Sequence, residues 1–131
     1  MLLYNAILLI DDDEEDQEIF RDALKDVDPL LHCSVADDGE AALALLHNDS
    51  LLKPDLIFID MNMPRLNGKQ VLQALKYSGT LRDVPVVMYS TFFGPKDLQE
   101  IKAMGAAHHM VKATRFDELC TSLKTILSTH W

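Results

Sequence analysis

Apolar residues recur along this chain in short continuous runs, a pattern typical of β-strands. Five runs predict strands, over Ala6–Ile10, 31–36, Leu56–Asp60, 84–90 and His108–Val111. The first and third runs are apolar at nearly every position, which favours strands covered on both faces. Sheets built from such strands are usually parallel.

A stretch with helical spacing of its apolar residues follows each run. In the first stretch, 13–27, one helical face carries Ile19, Phe20, Ala23 and Leu24. Residues that start or end helices mark these stretches: candidate N-caps at Asp13, Asp38, Asn67 and Thr114, Gln70 completing a capping box with Asn67, Pro95 at a first helical position, and Gly105 at a helix end.

Strand and helix therefore alternate five times along the chain. Right-handed crossovers between parallel strands place helices on both faces, which predicts an α/β, three-layer, doubly wound (βα)5 fold. In such folds, ligands bind outside the carboxyl ends of the strands, where the strand order reverses.

Composition narrows the class of protein. A length of 131 residues predicts a single domain, 1–131, with no separate output domain. The net charge of −9 argues against binding nucleic acid or an anionic membrane through broad electrostatics. The acidic residues concentrate in 11–18, where a cation or a basic partner fits better.

The chain start is apolar but short and lacks a basic leader, so it is neither a signal peptide nor a membrane span. Cys33 and Cys120 lack the spacing of metal ligands and lie in apolar patterns, which predicts buried free thiols. A cytoplasmic location follows from these observations.

Polar side chains stand at the carboxyl ends of the predicted strands. They are Asp11, Asp12 and Asp13 after the first strand, Asp37 and Asp38 after the second, Asp60 ending the third, Ser90 and Thr91 at the fourth, and Lys112 after the fifth. A parallel sheet brings these residues to one rim. Carboxylates held close together repel one another, and a hard cation such as Mg²⁺ removes that conflict. With a lysine and a hydroxyl beside them, they suit phosphoryl transfer onto an aspartate.

Four segments, "ILLIDDD", "PDLIFIDMNMPRLNG", "VPVVMYST" and "MGAAHHMVKA", resemble the receiver domains of two-component response regulators, the CheY-like family. The resemblance covers about 6–127. It implies a flavodoxin-like fold whose five-stranded parallel sheet has the order 2-1-3-4-5.

The resemblance also implies roles for single residues. Asp60 matches the phosphoacceptor. Asp11 and Asp12 match the acidic pair that binds Mg²⁺ together with Asp60 and the backbone carbonyl of Asn62. The switch hydroxyl and the phosphate-binding lysine match Ser90 and Lys112.

The resemblance implies that the partner is a sensor histidine kinase or a phosphotransfer protein. Output would pass to an unknown downstream protein through the face formed by the last two helices and the last strand, around His109. A homodimer is possible on the same grounds. Enzymatic activity would be limited to assisting the protein's own phosphorylation and dephosphorylation.

The chain departs from the family pattern at two positions. Ala113 stands where proline follows the lysine, and we expect a trans peptide because a cis bond before a non-proline residue is costly. His109 stands where the family has Tyr or Phe. We expect His108 and His109 to point to opposite faces of the strand and to share no ion. Met61 and Phe92 flank the acceptor, which predicts slow loss of the phosphoryl group.

Simpler interpretations stay open for single residues. Asp13 can serve only as a helix cap, Asp60 alone could form a turn, and Ser90 and Lys112 alone could be solvated. The acidic run after Asp13 suits the exposed first turn of a helix, or a docking surface.

Two other functions compete. One is a receiver-like binding module that is not regulated by phosphorylation. The other is a haloacid-dehalogenase-like phosphatase, whose motif would need Thr or Val where Glu14 stands.

Overall fold

A computed structural model describes residues 3–48, 53–79 and 81–131. Within these ranges the elements alternate as predicted: β1 (Ala6–Ile10), α1 (Glu14–Val27), β2 (His32–Ala36), α2 (Gly39–Asn48), β3 (Leu56–Asp60), α3 (Gly68–Tyr77), β4 (Val86–Ser90), α4 (Pro95–Ala103), β5 (His108–Val111) and α5 (Phe116–Leu127).

The strands form one parallel sheet of order β2-β1-β3-β4-β5. Both the (βα)5 architecture and the implied strand order are confirmed. β1 pairs with β2 on one side and with β3 on the other, so the strand order reverses between β1 and β3. The carboxyl ends of these two strands therefore border the crevice in which such folds bind ligands.

Each face of the sheet has its own hydrophobic core. On one face, Ile7, Leu9 and Phe58 pack with α1 and α5. On the other face, Leu8 and Ile59 pack with α2, α3 and α4. Alternate residues of β1 and β3 thus enter opposite cores, which explains why both strands are apolar throughout.

The helix-start signals act as predicted at three positions. The Asp13 carboxylate accepts hydrogen bonds from the backbone N–H groups of Glu15 and Asp16. Asp38 accepts one from Ala41 N at 2.7 Å. Asn67 and Gln70 form the reciprocal capping box.

The predicted cap of the last helix is wrong. Arg115, not Thr114, is the N-cap of α5, and its side chain makes no capping bond. Arg115 instead pairs with Asp117, at 3.0 Å between Nε and Oδ1. The backbone at Arg115 is extended, so the helix begins at Phe116, one residue later than the hydroxyl of Thr114 predicted.

Two further predictions need adjustment. Cys33 and Cys120 are free thiols, but both are only partly buried. The strands predicted over 31–36 and 84–90 begin later, at His32 and Val86. Among the described residues, no helix combines the length and apolar character needed to cross a membrane.

Candidate functional site

Three carboxylates meet at the point where the strand order reverses. Asp11 follows β1, Asp12 comes next, and Asp60 ends β3, the strand paired with β1. One oxygen from each lies within 4.8 Å of the others. We call Asp11, Asp12 and Asp60 the carboxylate cluster.

Burial makes this cluster electrostatically costly. Asp11 is fully buried and Asp60 is 4% exposed, whereas Asp12 is exposed. Burial, together with the nearby charge of Asp60, raises the pKa of Asp11 to about 6, although the Asp13 N–H and Lys112 oppose the rise. Desolvation and the Asp60 charge also raise the pKa of Asp12. Several carboxylates that resist joint ionisation form a natural cation site.

Hydrogen bonds fix the position of Asp11. Its Oδ1 accepts from the backbone N–H of Asp13 at 3.0 Å. The buried amide of Gln17 donates to the backbone carbonyl of Asp11 at 2.6 Å and to Asp37 Oδ1 at 2.9 Å. Gln17 thereby ties the ends of β1 and β2 to α1. Sequence reasoning missed Gln17, since a lone glutamine on a helix carries no distinctive signal.

The ammonium of Lys112 lies among acids. Its Nζ is 2.8 Å from Asp16 Oδ2, 3.3 Å from Asp11 Oδ2 and 3.6 Å from Asp60 Oδ2. Burial alone would lower the pKa of Lys112, but the hydrogen bond to Asp16 and the charges of Asp11 and Asp60 outweigh burial and raise it. Lys112 is therefore a fixed positive charge beside the carboxylate cluster. The peptide bond that follows it, to Ala113, is trans, as expected.

Asp16 is a second residue that sequence reasoning missed. The acidic run that contains it predicts an exposed first turn of a helix or a docking surface, yet the Asp16 carboxylate makes the shortest of the three lysine contacts. The sequence carries no signal for this contact, because Lys112 lies 96 positions away.

Asn62 connects the end of β3 to Ser90. Its backbone N–H donates to Asp60 Oδ1 at 3.1 Å, and its side-chain amide donates to Ser90 Oγ at 3.2 Å. The Ser90 hydroxyl in turn donates to the carbonyl of Phe92 at 3.0 Å. Ser90 is almost fully buried, at 1% exposure. The side-chain role of Asn62 was not foreseen; the metal-binding role of its carbonyl stays a prediction.

A close backbone approach shapes the loop after β3. A Cβ on Gly68 would overlap the backbone carbonyl of Asp60 and come within 2.8 Å of Met61 Cα. The Gly68 N–H also donates to the Met61 carbonyl at 3.1 Å. The absence of a side chain therefore lets the start of α3 lie directly against Asp60.

A cavity of about 370 Å³ opens beside this loop, lined among others by Met61, Asn62, Ser90 and Phe92. The flanking residues differ in exposure. Met61 is buried at 8%, while the ring of Phe92 is 74% exposed. Phe92 thus stands at the mouth of the cavity.

His109 belongs to an aromatic chain at the sheet edge. Its ring meets Phe93 edge-on at 5.1 Å, and His108 stacks on Trp131 at 4.5 Å. The two histidine rings lie 5.3 Å apart. In the strand register His108 lies beside Val87 and His109 beside Met88, and Val87 and Met88 pack into opposite cores. The two histidines therefore stand on opposite faces of β5, as expected. Burial and the neighbouring His109 lower the pKa of His108.

Comparison with known proteins places the chain in a family. Residues 7–124 match the response regulator receiver domain. Response regulator Rcp1 of Synechocystis sp. is 26% identical across 94% of this chain and 86% of its own length. Protein PilG of Pseudomonas aeruginosa is 30% identical across 90% of this chain and 84% of its own length. Transcriptional regulatory protein CpxR of Escherichia coli is 34% identical across 97% of this chain, which spans about half (51%) of CpxR.

Solved structures agree. The phosphorylated cyanobacterial phytochrome response regulator RcpA has a TM-score of 0.85 at 26% identity, covering 95% of this chain and 91% of its own. The Mn²⁺-bound form of response regulator Rcp1 has a TM-score of 0.84 at 25% identity, covering 97% of both chains. Chemotaxis response regulator CheY4 of Vibrio cholerae has a TM-score of 0.80 at 27% identity, covering 95% of this chain and 100% of its own.

These relatives are signalling proteins, and neither competing function, the phosphatase or the unregulated binding module, gains support from them. The family match, the strand order and the relatives agree over nearly the whole chain. The protein belongs to the response regulator receiver domain family and acts in two-component signal transduction.

Proposed function

We propose that Asp60 accepts a phosphoryl group from the phosphohistidine of a sensor histidine kinase or phosphotransfer protein. The observation that carries the proposal is the arrangement around Asp60. Two more carboxylates lie within 4.8 Å, and the Lys112 ammonium is 3.6 Å away. A side-chain hydroxyl is linked to the same strand end through Asn62.

In the transfer, a carboxylate oxygen of Asp60 attacks phosphorus. The phosphorus–nitrogen bond of the donor breaks as the phosphorus–oxygen bond forms, and the donor imidazole leaves. The Asp60 oxygen that receives the Asn62 N–H is Oδ1, while Lys112 lies nearest to Oδ2. The two oxygens are thus held in different surroundings, which orients the carboxylate for attack.

The donor set fits Mg²⁺, which prefers oxygen ligands and needs only one or two carboxylates in such sites. Asp11, Asp12 and Asp60 would hold the ion together with the backbone carbonyl of Asn62. Bound there, the metal would neutralise negative charge on the carboxylates and on the incoming phosphoryl oxygens. The existence of a Mn²⁺-bound form of Rcp1, a relative of this chain, supports binding of a divalent ion.

Phosphorylation would add about −1.5 to −2 charges beside Ser90 and Lys112. To donate to the phosphoryl group, the Ser90 hydroxyl would have to release the Phe92 carbonyl, which would free the chain between β4 and α4 to move. That chain carries Phe93, whose ring packs on His109. The movement would therefore pass to the α4–β5–α5 face and change its affinity for a downstream protein or for a second copy of this chain.

A cytoplasmic location belongs to the same proposal, because free thiols at Cys33 and Cys120 suit a reducing compartment.

The test is incubation with MgCl₂ and acetyl phosphate, followed by intact-mass measurement. We expect one phosphoryl adduct on the wild type and none on Asp60→Asn. Chelation of the metal should abolish the adduct. An adduct of equal yield on Asp60→Asn, or none on the folded wild type, would refute the proposal. Pull-downs with the phosphorylated and the unphosphorylated protein then identify partners. Histidine kinases replace acetyl phosphate as the phosphoryl donor in these experiments.

A further inference from the structure

The position of Lys112 carries a further inference, which rests on the proposed function. An ammonium has three N–H donors, and the one on Lys112 faces three acids. Its shortest contact is to Asp16, at 2.8 Å. Its longest is to Asp60, at 3.6 Å, beyond the usual range for a hydrogen bond between nitrogen and oxygen.

Asp16 is held firmly in that place. It lies in the first turn of α1, where its own backbone N–H is bound by the Asp13 cap at 3.2 Å. α1 is in turn packed through Phe20 against the sheet, with the Phe58 ring 5.0 Å away. The carboxylate of Asp16 is half-buried, at 34% exposure, so water competes with it only in part.

The other groups around Lys112 attract its ammonium inward, away from Asp16. Asp11 and Asp60 are buried acids deeper in the site, and the Tyr89 ring lies 5.0 Å below the ammonium. Without Asp16, those buried charges would draw the ammonium inward. A phosphoryl group on Asp60 would add further negative charge on this inner side, and movement of the ammonium toward it would lengthen the contact with Asp16.

We infer that Asp16 is a positioning residue that holds Lys112 back from Asp60 in the unphosphorylated protein and opposes binding of the phosphoryl group. Phosphorylation breaks the contact between α1 and Lys112, so the carboxylate of Asp16 becomes free. Asp16 acts through Lys112 and touches no reacting atom itself.

The test compares Asp16→Asn with a matched control, Glu18→Gln. Both variants remove one acid from α1, but Glu18 is exposed and makes no ion pair among the described residues. Asp16→Glu keeps the charge and serves as the conservative variant. Urea denaturation first shows that all three variants fold.

The first measurement is a metal-free crystal structure of wild type and Asp16→Asn. We expect Lys112 Nζ to move within hydrogen-bond distance of Asp60 in the variant. The second measurement is the affinity for beryllofluoride, which mimics the phosphoryl group, with Mg²⁺ present. We expect binding roughly threefold to fivefold tighter in Asp16→Asn, the range given by loss of a partly exposed ion pair. Glu18→Gln and Asp16→Glu should match the wild type.

An unmoved Lys112 in Asp16→Asn overturns the inference. So does an affinity for beryllofluoride equal to that of the wild type, or an equal gain in Glu18→Gln. If the wild type binds no beryllofluoride and takes up no phosphoryl group, the proposed function fails instead. In that case the crystal structures still decide whether Asp16 restrains Lys112.

Discussion

Replacing Asp11 by asparagine should stabilise the metal-free protein at neutral pH. Asp11 is fully buried, and its pKa is raised from 3.8 to about 6. Asparagine resembles the protonated acid in shape and can still accept the Asp13 N–H. The substitution therefore removes the cost of ionising a buried carboxyl while it leaves the local hydrogen bond in place.

The sign of the pH dependence follows from linkage. Because the folded pKa of Asp11 lies above its unfolded value, its contribution to stability is fully present below 3.8 and is lost as pH rises through about 6. The difference between the two pKa values corresponds to about 3 kcal/mol in the free energy of unfolding. Asp11→Asn should match the wild type at about pH 4 and exceed it by up to about 3 kcal/mol at about pH 7.5.

The assay is urea denaturation followed by far-ultraviolet circular dichroism, with a chelator present, across this pH range. Glu18→Gln, which alters an exposed acid on α1, is the control and should run parallel to the wild type. Added Mg²⁺ should narrow the gap, since ion binding stabilises the wild type by about 2.7 kcal/mol at a concentration of 100 times Kd. Parallel profiles for Asp11→Asn and wild type, without a pH-dependent gap, would refute the reasoning.

Three further substitutions test the site and the core. Gly68→Ala should lower the free energy of unfolding by about 1–3 kcal/mol and slow phosphorylation, because the new Cβ overlaps the Asp60 carbonyl. Gly79→Ala, where a Cβ meets nothing within 4 Å, is the control, and equal urea midpoints for the Gly68 and Gly79 variants would contradict the clash. Phe92→Ala should speed loss of the phosphoryl adduct in a mass-spectrometric time course, because the ring stands at the cavity mouth; an unchanged lifetime would remove Phe92 from this role. Phe58→Ala should lower the free energy of unfolding by about 3–5 kcal/mol, measured in urea, because the ring is fully buried; a loss below about 1 kcal/mol would mean that the core collapses around it.

Much of the fold could be predicted from sequence because it depends on local patterns. Continuous apolar runs such as Leu56–Asp60 require burial on both faces, and parallel strands then place their ends at one rim. The carboxylate cluster and Lys112 could be predicted from this geometry and from the family resemblance. Helix starts at Asp13 and Asn67 were also readable, since a cap and its partners lie within a few residues of each other.

Tertiary structure alone decided the contacts made by side chains from distant segments. The bond between Lys112 and Asp16 joins residues 96 positions apart, and only the packing of α1 beside β5 and its following loop sets its length. The amide of Asn62 reaches Ser90 across 28 positions in the same way. The sequence determined which side chains lie at the rim, because strand ends follow from hydrophobic periodicity. Three-dimensional packing decided which of these side chains touch, because hydrogen bonds depend on fractions of an ångström that no pattern of residue types encodes.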